Sequence, residues 1–138
     1  MDDTYPIMLV EDDLVDVMAV ERAFLELEVI NPLIVAGNGE EALALLKRQG
    51  RSLPGLILLD LNMPRMNGLE FLRILKADPE FRRIPVVILT TSKDATDRLE
   101  SIELSVAGYM AKPVEYADFV ELIRGIRHYW TTSQQPPR

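Results

Sequence analysis

A chain of 138 residues carrying 15 Lys+Arg against 22 Asp+Glu, net charge −7, is sized for one domain, and its acidic balance argues against a broad nucleic-acid-binding surface. With no cysteine and one histidine, His128, the chain has no disulfides, thiolate metal sites or cysteine nucleophiles, and a serine hydrolase would have a single candidate base. No apolar run approaches the roughly 18 residues of a membrane span, and the Met1-Asp2-Asp3 start is unlike a basic secretory leader, so a cytoplasmic protein is expected.

In chain order, Ile7-Met8-Leu9-Val10 is a short apolar run without alternation, as expected of a strand covered on both faces. Helical spacing follows at Val17, Val20, Phe24 and Leu27. Leu33-Ile34-Val35-Ala36, preceded by Pro32, suits an edge strand, and Ala42, Leu45 and Leu46 mark a second helix. Pro54-Gly55 introduces Leu56-Ile57-Leu58-Leu59; a helix with Leu69, Leu72 and Leu75 follows and stops at Asp78-Pro79. Ile84-Pro85 opens Val86-Val87-Ile88-Leu89, after which Asp94 and Asp97 suggest the cap of a fourth helix with Leu99, Ile102 and Val106 inward. The weaker run Tyr109-Met110-Ala111 suits the other edge strand, and Phe119, Leu122, Ile123 and Ile126 mark the last helix. Five strand–helix pairs predict a (βα)5 α/β fold, doubly wound around a parallel five-stranded sheet. The domain is expected to span residues 1–130, with 131–138, containing Gln134-Gln135-Pro136-Pro137, a flexible tail.

Polar residues able to do chemistry stand at the ends of these runs: Glu11-Asp12-Asp13, Asp60, Thr90-Thr91 and Lys112-Pro113. Ligands of open α/β sheets bind beyond the carboxyl ends of the strands, and in the order 2-1-3-4-5 the first and third strands are neighbours. Their carboxylates would then cluster, repel, and take up protons or a cation. Oxygen ligands without Cys or His favour Mg2+ or a similar hard cation. With such a cluster neutralised, one carboxylate can attack phosphorus to give an aspartyl phosphate, while the Thr90 hydroxyl and the Lys112 ammonium hold phosphoryl oxygens.

Leu9-Val10-Glu11-Asp12-Asp13, Leu58-Leu59-Asp60-Leu61-Asn62-Met63-Pro64 with Gly68, Pro85-Val86-Val87-Ile88-Leu89-Thr90, and Tyr109-Met110-Ala111-Lys112-Pro113 together resemble the receiver domain of two-component response regulators, over about residues 6 to 130. Any one of these motifs is a weak signal; all four in this order are specific. The resemblance implies a flavodoxin-like sheet in which Asp60 accepts a phosphoryl group from a sensor histidine kinase and releases it slowly. It further implies Mg2+ held by Glu11, Asp12, Asp60 and the Asn62 carbonyl, Thr90 and Tyr109 as a switch pair, and a cis Lys112–Pro113 bond. Thr91-Ser92 and the Tyr129-Trp130 end resemble small stand-alone regulators associated with bacterial phytochrome kinases. Two positions depart from the family: bulky Thr91 follows the switch threonine, and Ser105-Val106 replaces a glycine near the end of helix four, which is expected to end differently.

Blander readings apply to each residue alone. Asp12 and Asp13 suit a helix cap, Asp60 and Thr90 polar strand ends, Lys112 and His128 solvated surface, Tyr109 an edge-strand aromatic, and Tyr129 and Trp130 packing. Gly37-Asn38-Gly39-Glu40-Glu41-Ala42 fits a dinucleotide fingerprint, but Glu40 and Glu41 would oppose a pyrophosphate at the helix start, so a turn is expected. Two other functions compete with the signalling switch: an aspartyl-phosphate-forming phosphohydrolase, which wants an acid where Asn62 stands, and an unphosphorylated binding module, which has no use for the full set of acids, Thr90 and Lys112. Output is expected through association, with homodimerisation on helix four, strand five and helix five.

Overall fold

The computed structural model describes residues 5–48, 53–63, 65–91 and 95–132. Pro64, Ser92, Asp94, the side chains of Tyr129 and Trp130, and residues 133–138 lie outside the described residues. The elements alternate as expected: β1 (Ile7–Val10), α1 (Leu14–Glu26), β2 (Leu33–Ala36), α2 (Gly39–Leu46), β3 (Leu56–Leu59), α3 (Gly68–Ala77), β4 (Val86–Thr90), α4 (Ala95–Glu103), β5 (Gly108–Ala111) and α5 (Tyr116–Thr132). The last helix thus continues through Thr132, past the boundary expected at residue 130.

The five strands are parallel in the order β2-β1-β3-β4-β5. Every residue of β1, β3 and β4 is buried, whereas the edge strands β2 and β5 are mostly half-buried, which is why the central runs lack alternation. On one face α1 and α5 pack Val20, Phe24, Phe119 and Ile123 against Leu9, Leu58 and Leu89. On the other, Leu43 and Leu46 of α2 and Leu69, Phe71, Leu72 and Leu75 of α3 cover Met8, Val10, Ile57, Leu59 and Ile88.

The register sets up the site. Val10 pairs with Leu59 and Thr90 with Ala111, so Glu11 and Asp60 leave the sheet side by side, as do Thr91 and Lys112. At the start of α3, Gly68 packs directly on the turn after β3: a Cβ there would lie 2.3 Å from the Asp60 carbonyl oxygen and 2.6 Å from Leu61 Cα. Any side chain at this position displaces the backbone that carries Asp60.

Three expectations are corrected. On α4, Leu99 and Ile102 are 59% and 57% exposed, and Ser101, fully buried, faces inward in their place. The helix buries the side of Ser101, not its apolar stripe, with Leu104 just past its end packed against the core, and of the expected three only Val106 packs on the core. Second, α4 does not end differently for want of a glycine: Ser105 itself adopts the left-handed conformation, φ 60°. The Ser105 N–H donates to Ile102 O (2.9 Å) and the Val106 N–H to Ser101 O (3.4 Å), the paired bonds of a Schellman end. Third, no described peptide bond is cis, so Lys112–Pro113 is trans, the intrinsically favoured isomer, and the Lys112 N–H still reaches Thr90 O at 3.0 Å.

Candidate functional site

Adjacent acids after β1 are divided between structure and chemistry by the start of α1. Asp13 is the N-cap, its Oδ1 accepting from the Val15 N–H at 2.9 Å, so the helix-cap reading holds for this residue. Asp12 is exposed. Glu11 turns inward, 3% exposed, with its N–H donating to Ala36 O (2.9 Å) and its Oε2 accepting from the Asp13 N–H (3.2 Å). Asp60, 5% exposed, leaves β3 with its N–H donating to Val10 O at 3.0 Å.

Lys112 enters from the end of β5 with a side chain only 8% exposed, so it is not a solvated surface lysine. Its ammonium donates to Glu11 Oε1 at 2.5 Å and Asp16 Oδ2 at 2.7 Å, and lies 3.6 Å from Asp60 Oδ2. Burial would lower the lysine's pKa, but the hydrogen bonds to Asp16 and Glu11 and the nearby carboxylate charges outweigh it and hold the ammonium charged. Glu11 moves the other way from an ordinary carboxylate: burial pushes it up to about 7, helped by the charge of Asp60 and opposed by the hydrogen bond from Lys112.

Thr90 is fully buried, and its hydroxyl accepts from Asn62 Nδ2 at 3.4 Å. The same amide donates to the exposed Thr91 hydroxyl at 3.4 Å, so Asn62 bridges the loop after β3 to the end of β4. Half-buried Tyr109 sits on β5 opposite Ile88, two register positions before Thr90, which pairs with Ala111, and the Arg98 guanidinium lies 5.9 Å above its ring. The structure therefore gathers Glu11, Asp12, Asp60, Asn62, Thr90 and Lys112 at one end of the sheet. Asp16 joins them although sequence reasoning passed over it. Its signal was an acid in the first turn of α1, close behind the acids that follow β1.

Glu11, Asp12 and Asp60 each offer an oxygen within 4.8 Å of the others, and Asp60 Oδ1 is buried without a hydrogen-bond partner. A buried carboxylate oxygen left in that state fits a hard divalent cation, which such all-oxygen acid clusters favour. Of the two glycines expected in a turn, Gly37 lies in the bend before α2 and Gly39 is already the first residue of the helix: Asn38 caps it through the Glu41 N–H (2.9 Å), and the Gly39 N–H donates to Met66 O (3.1 Å). His128 is exposed on α5. No helix among the described residues is long and apolar enough to cross a membrane.

Residues 7–124 match the family described as the response regulator receiver domain. Response regulator Rcp1 of Synechocystis sp. is 38% identical over 128 residues, covering 90% of this chain and 87% of that protein. The crystal structure of the phosphorylated cyanobacterial phytochrome response regulator RcpA superposes with a TM-score of 0.89 at 34% identity, covering 97% of this chain and 99% of that one. The Mn2+-bound form of Rcp1 gives 0.87 at 37% identity, over 96% and 99%. With a match across most of its length and relatives aligned nearly end to end, the chain belongs to the response regulator receiver domains, the phosphoacceptors of two-component signalling.

Proposed function

We propose that this chain is a single-domain response regulator in which Asp60 accepts the phosphoryl group of a sensor histidine kinase. One observation carries the assignment: Asp60 is buried at the meeting point of Glu11, Asp12 and Lys112 with its Oδ1 unsatisfied. An Asp60 oxygen attacks phosphorus as the phosphorus–nitrogen bond of the kinase phosphohistidine breaks, leaving an aspartyl phosphate. Lys112 pairs with one phosphoryl oxygen and the Thr90 hydroxyl donates to another. Glu11, Asp12, Asp60 and the Asn62 carbonyl hold Mg2+, which when bound offsets the charge of the acids and of the incoming group. Thr90, drawn toward the phosphate, lets Tyr109 turn inward as the readout.

Asn62 occupies the position where a phosphohydrolase would need a general acid, and its amide is engaged with Thr90 and Thr91, so turnover beyond slow autodephosphorylation is not part of this reading. The resemblance to RcpA, named as a phytochrome response regulator, supports a phytochrome-type kinase as partner, and a cytoplasmic location is part of the same reading. Exposed Leu99 and Ile102 support homodimerisation across α4, β5 and α5. The test is labelling with acetyl phosphate and Mg2+: wild type takes up phosphate and Asp60→Asn does not, and equal labelling of both would overturn the assignment.

A further inference from the structure

We propose that Asp16 is a positioning residue of the phosphoryl site: its carboxylate anchors the Lys112 ammonium so that it faces Asp60 without closing on it. The inference rests on the phosphoacceptor reading of Asp60. An ammonium has three N–H donors. Glu11 takes one at 2.5 Å and Asp16 a second at 2.7 Å, while Asp60 Oδ2, at 3.6 Å, lies beyond hydrogen-bond length. The lysine side chain is 8% exposed, so water offers it little alternative. With Asp16 neutral, the remaining anions in reach are those of Glu11 and Asp60, and attraction in this poorly solvated site draws the ammonium onto Asp60.

That closure is harmful twice. It engages the carboxylate that must act as nucleophile, and it sets a fixed positive charge against a divalent cation sharing Glu11 and Asp60. Asp16 is not one of the three acids whose oxygens lie within 4.8 Å of one another, so its influence on the cation site runs through Lys112. Anchoring groups of this kind, one step removed from the reacting atoms, orient the groups that touch them.

The experiment is a double-mutant cycle on Mn2+ affinity, read from the electron paramagnetic resonance signal of the free ion, across wild type, Asp16→Asn, Lys112→Met and the double variant. Asp16→Asn is expected to weaken Mn2+ binding and slow phosphoryl uptake from acetyl phosphate about tenfold, with Asp16→Glu restoring most of both. In the Lys112→Met background, Asp16→Asn is expected to have little further effect. An unchanged Asp16→Asn variant overturns the proposal. So does an equal loss of Mn2+ affinity in both backgrounds, which would make Asp16 a through-space charge acting without the lysine. Labelling of Asp60→Asn would instead defeat the phosphoacceptor assignment, while the Mn2+ cycle still reports whether Asp16 acts through Lys112.

Discussion

Helices α3 and α4 lie side by side on one face of the sheet, held there by different forces. α3 buries Leu69, Phe71, Leu72 and Leu75, and it starts with a reciprocal capping box in which Asn67 Oδ1 accepts from the Glu70 N–H (3.0 Å) and Glu70 Oε1 from the Asn67 N–H (3.3 Å). α4 turns Ser101 inward, its hydroxyl donating to Asp97 O at 2.8 Å, and leaves Leu99 and Ile102 in solvent. Its ties to α3 are polar: Arg73 to Glu100, and the Lys76 ammonium to Ser105 O (3.4 Å) just past the end of α4. The helix that carries the loop after Asp60 is built into the core, and the helix beside the proposed switch residues is attached by contacts that water can replace. Elements with few buried apolar contacts open first, so movement on phosphorylation is expected at α4 and not at α3.

The largest effect that would break this contrast is in the core. Phe71→Ala should cost about 3–5 kcal/mol in urea unfolding, and Leu99→Ala no more than about 0.5 kcal/mol. Equal losses would place both helices in the same class. Next, Gly68→Ala forces a Cβ into the Asp60 backbone, and should cost about 1–3 kcal/mol while weakening divalent-cation binding; a variant with wild-type affinity would free Asp60 from dependence on α3.

A pH titration sharpens the rigid side further. Because burial raises Glu11 to about 7, a cation must displace a proton below that pH, so affinity should fall by about tenfold per pH unit below 7 and level off above it. Glu11→Gln should abolish the slope. In metal-free protein the folded state keeps a proton that the unfolded chain has lost between pH 4.5 and about 7, so the contribution of Glu11 to stability declines as pH rises through that window. The smallest expected effect is on the loose side: Ser105→Gly relieves a left-handed serine at the end of α4 and should stabilise by about 1 kcal/mol or less. Glu28, at φ 55° after α1, offers the same test on a well-packed helix.

Local information was enough for the elements and most of the site. Buried parallel strands need unbroken apolar runs, so β1, β2 and β3 were legible residue for residue, whereas the strand order came from the resemblance to receiver domains and not from the runs themselves. Glu11, Asp60, Thr90 and Lys112 were legible because each directly follows or ends a strand, where geometry leaves few places to go. Asp16 was not, because a carboxylate in the first turn of a helix is equally at home in solvent or favouring the helix dipole. Only the arrival of Lys112, 96 positions further along, gives it a partner.

The sequence by itself determined the five strand–helix pairs, the turns between them and the identity of the acids, since these follow from periodicity and residue chemistry over a few positions. The tertiary structure alone decided which side of α4 faces inward and that Asp16 shares the lysine with Glu11. Both depend on which distant surface a segment meets. Ser101 is buried on α4 despite the helix's apolar stripe, and a buried ammonium binds whichever carboxylates the fold brings within reach.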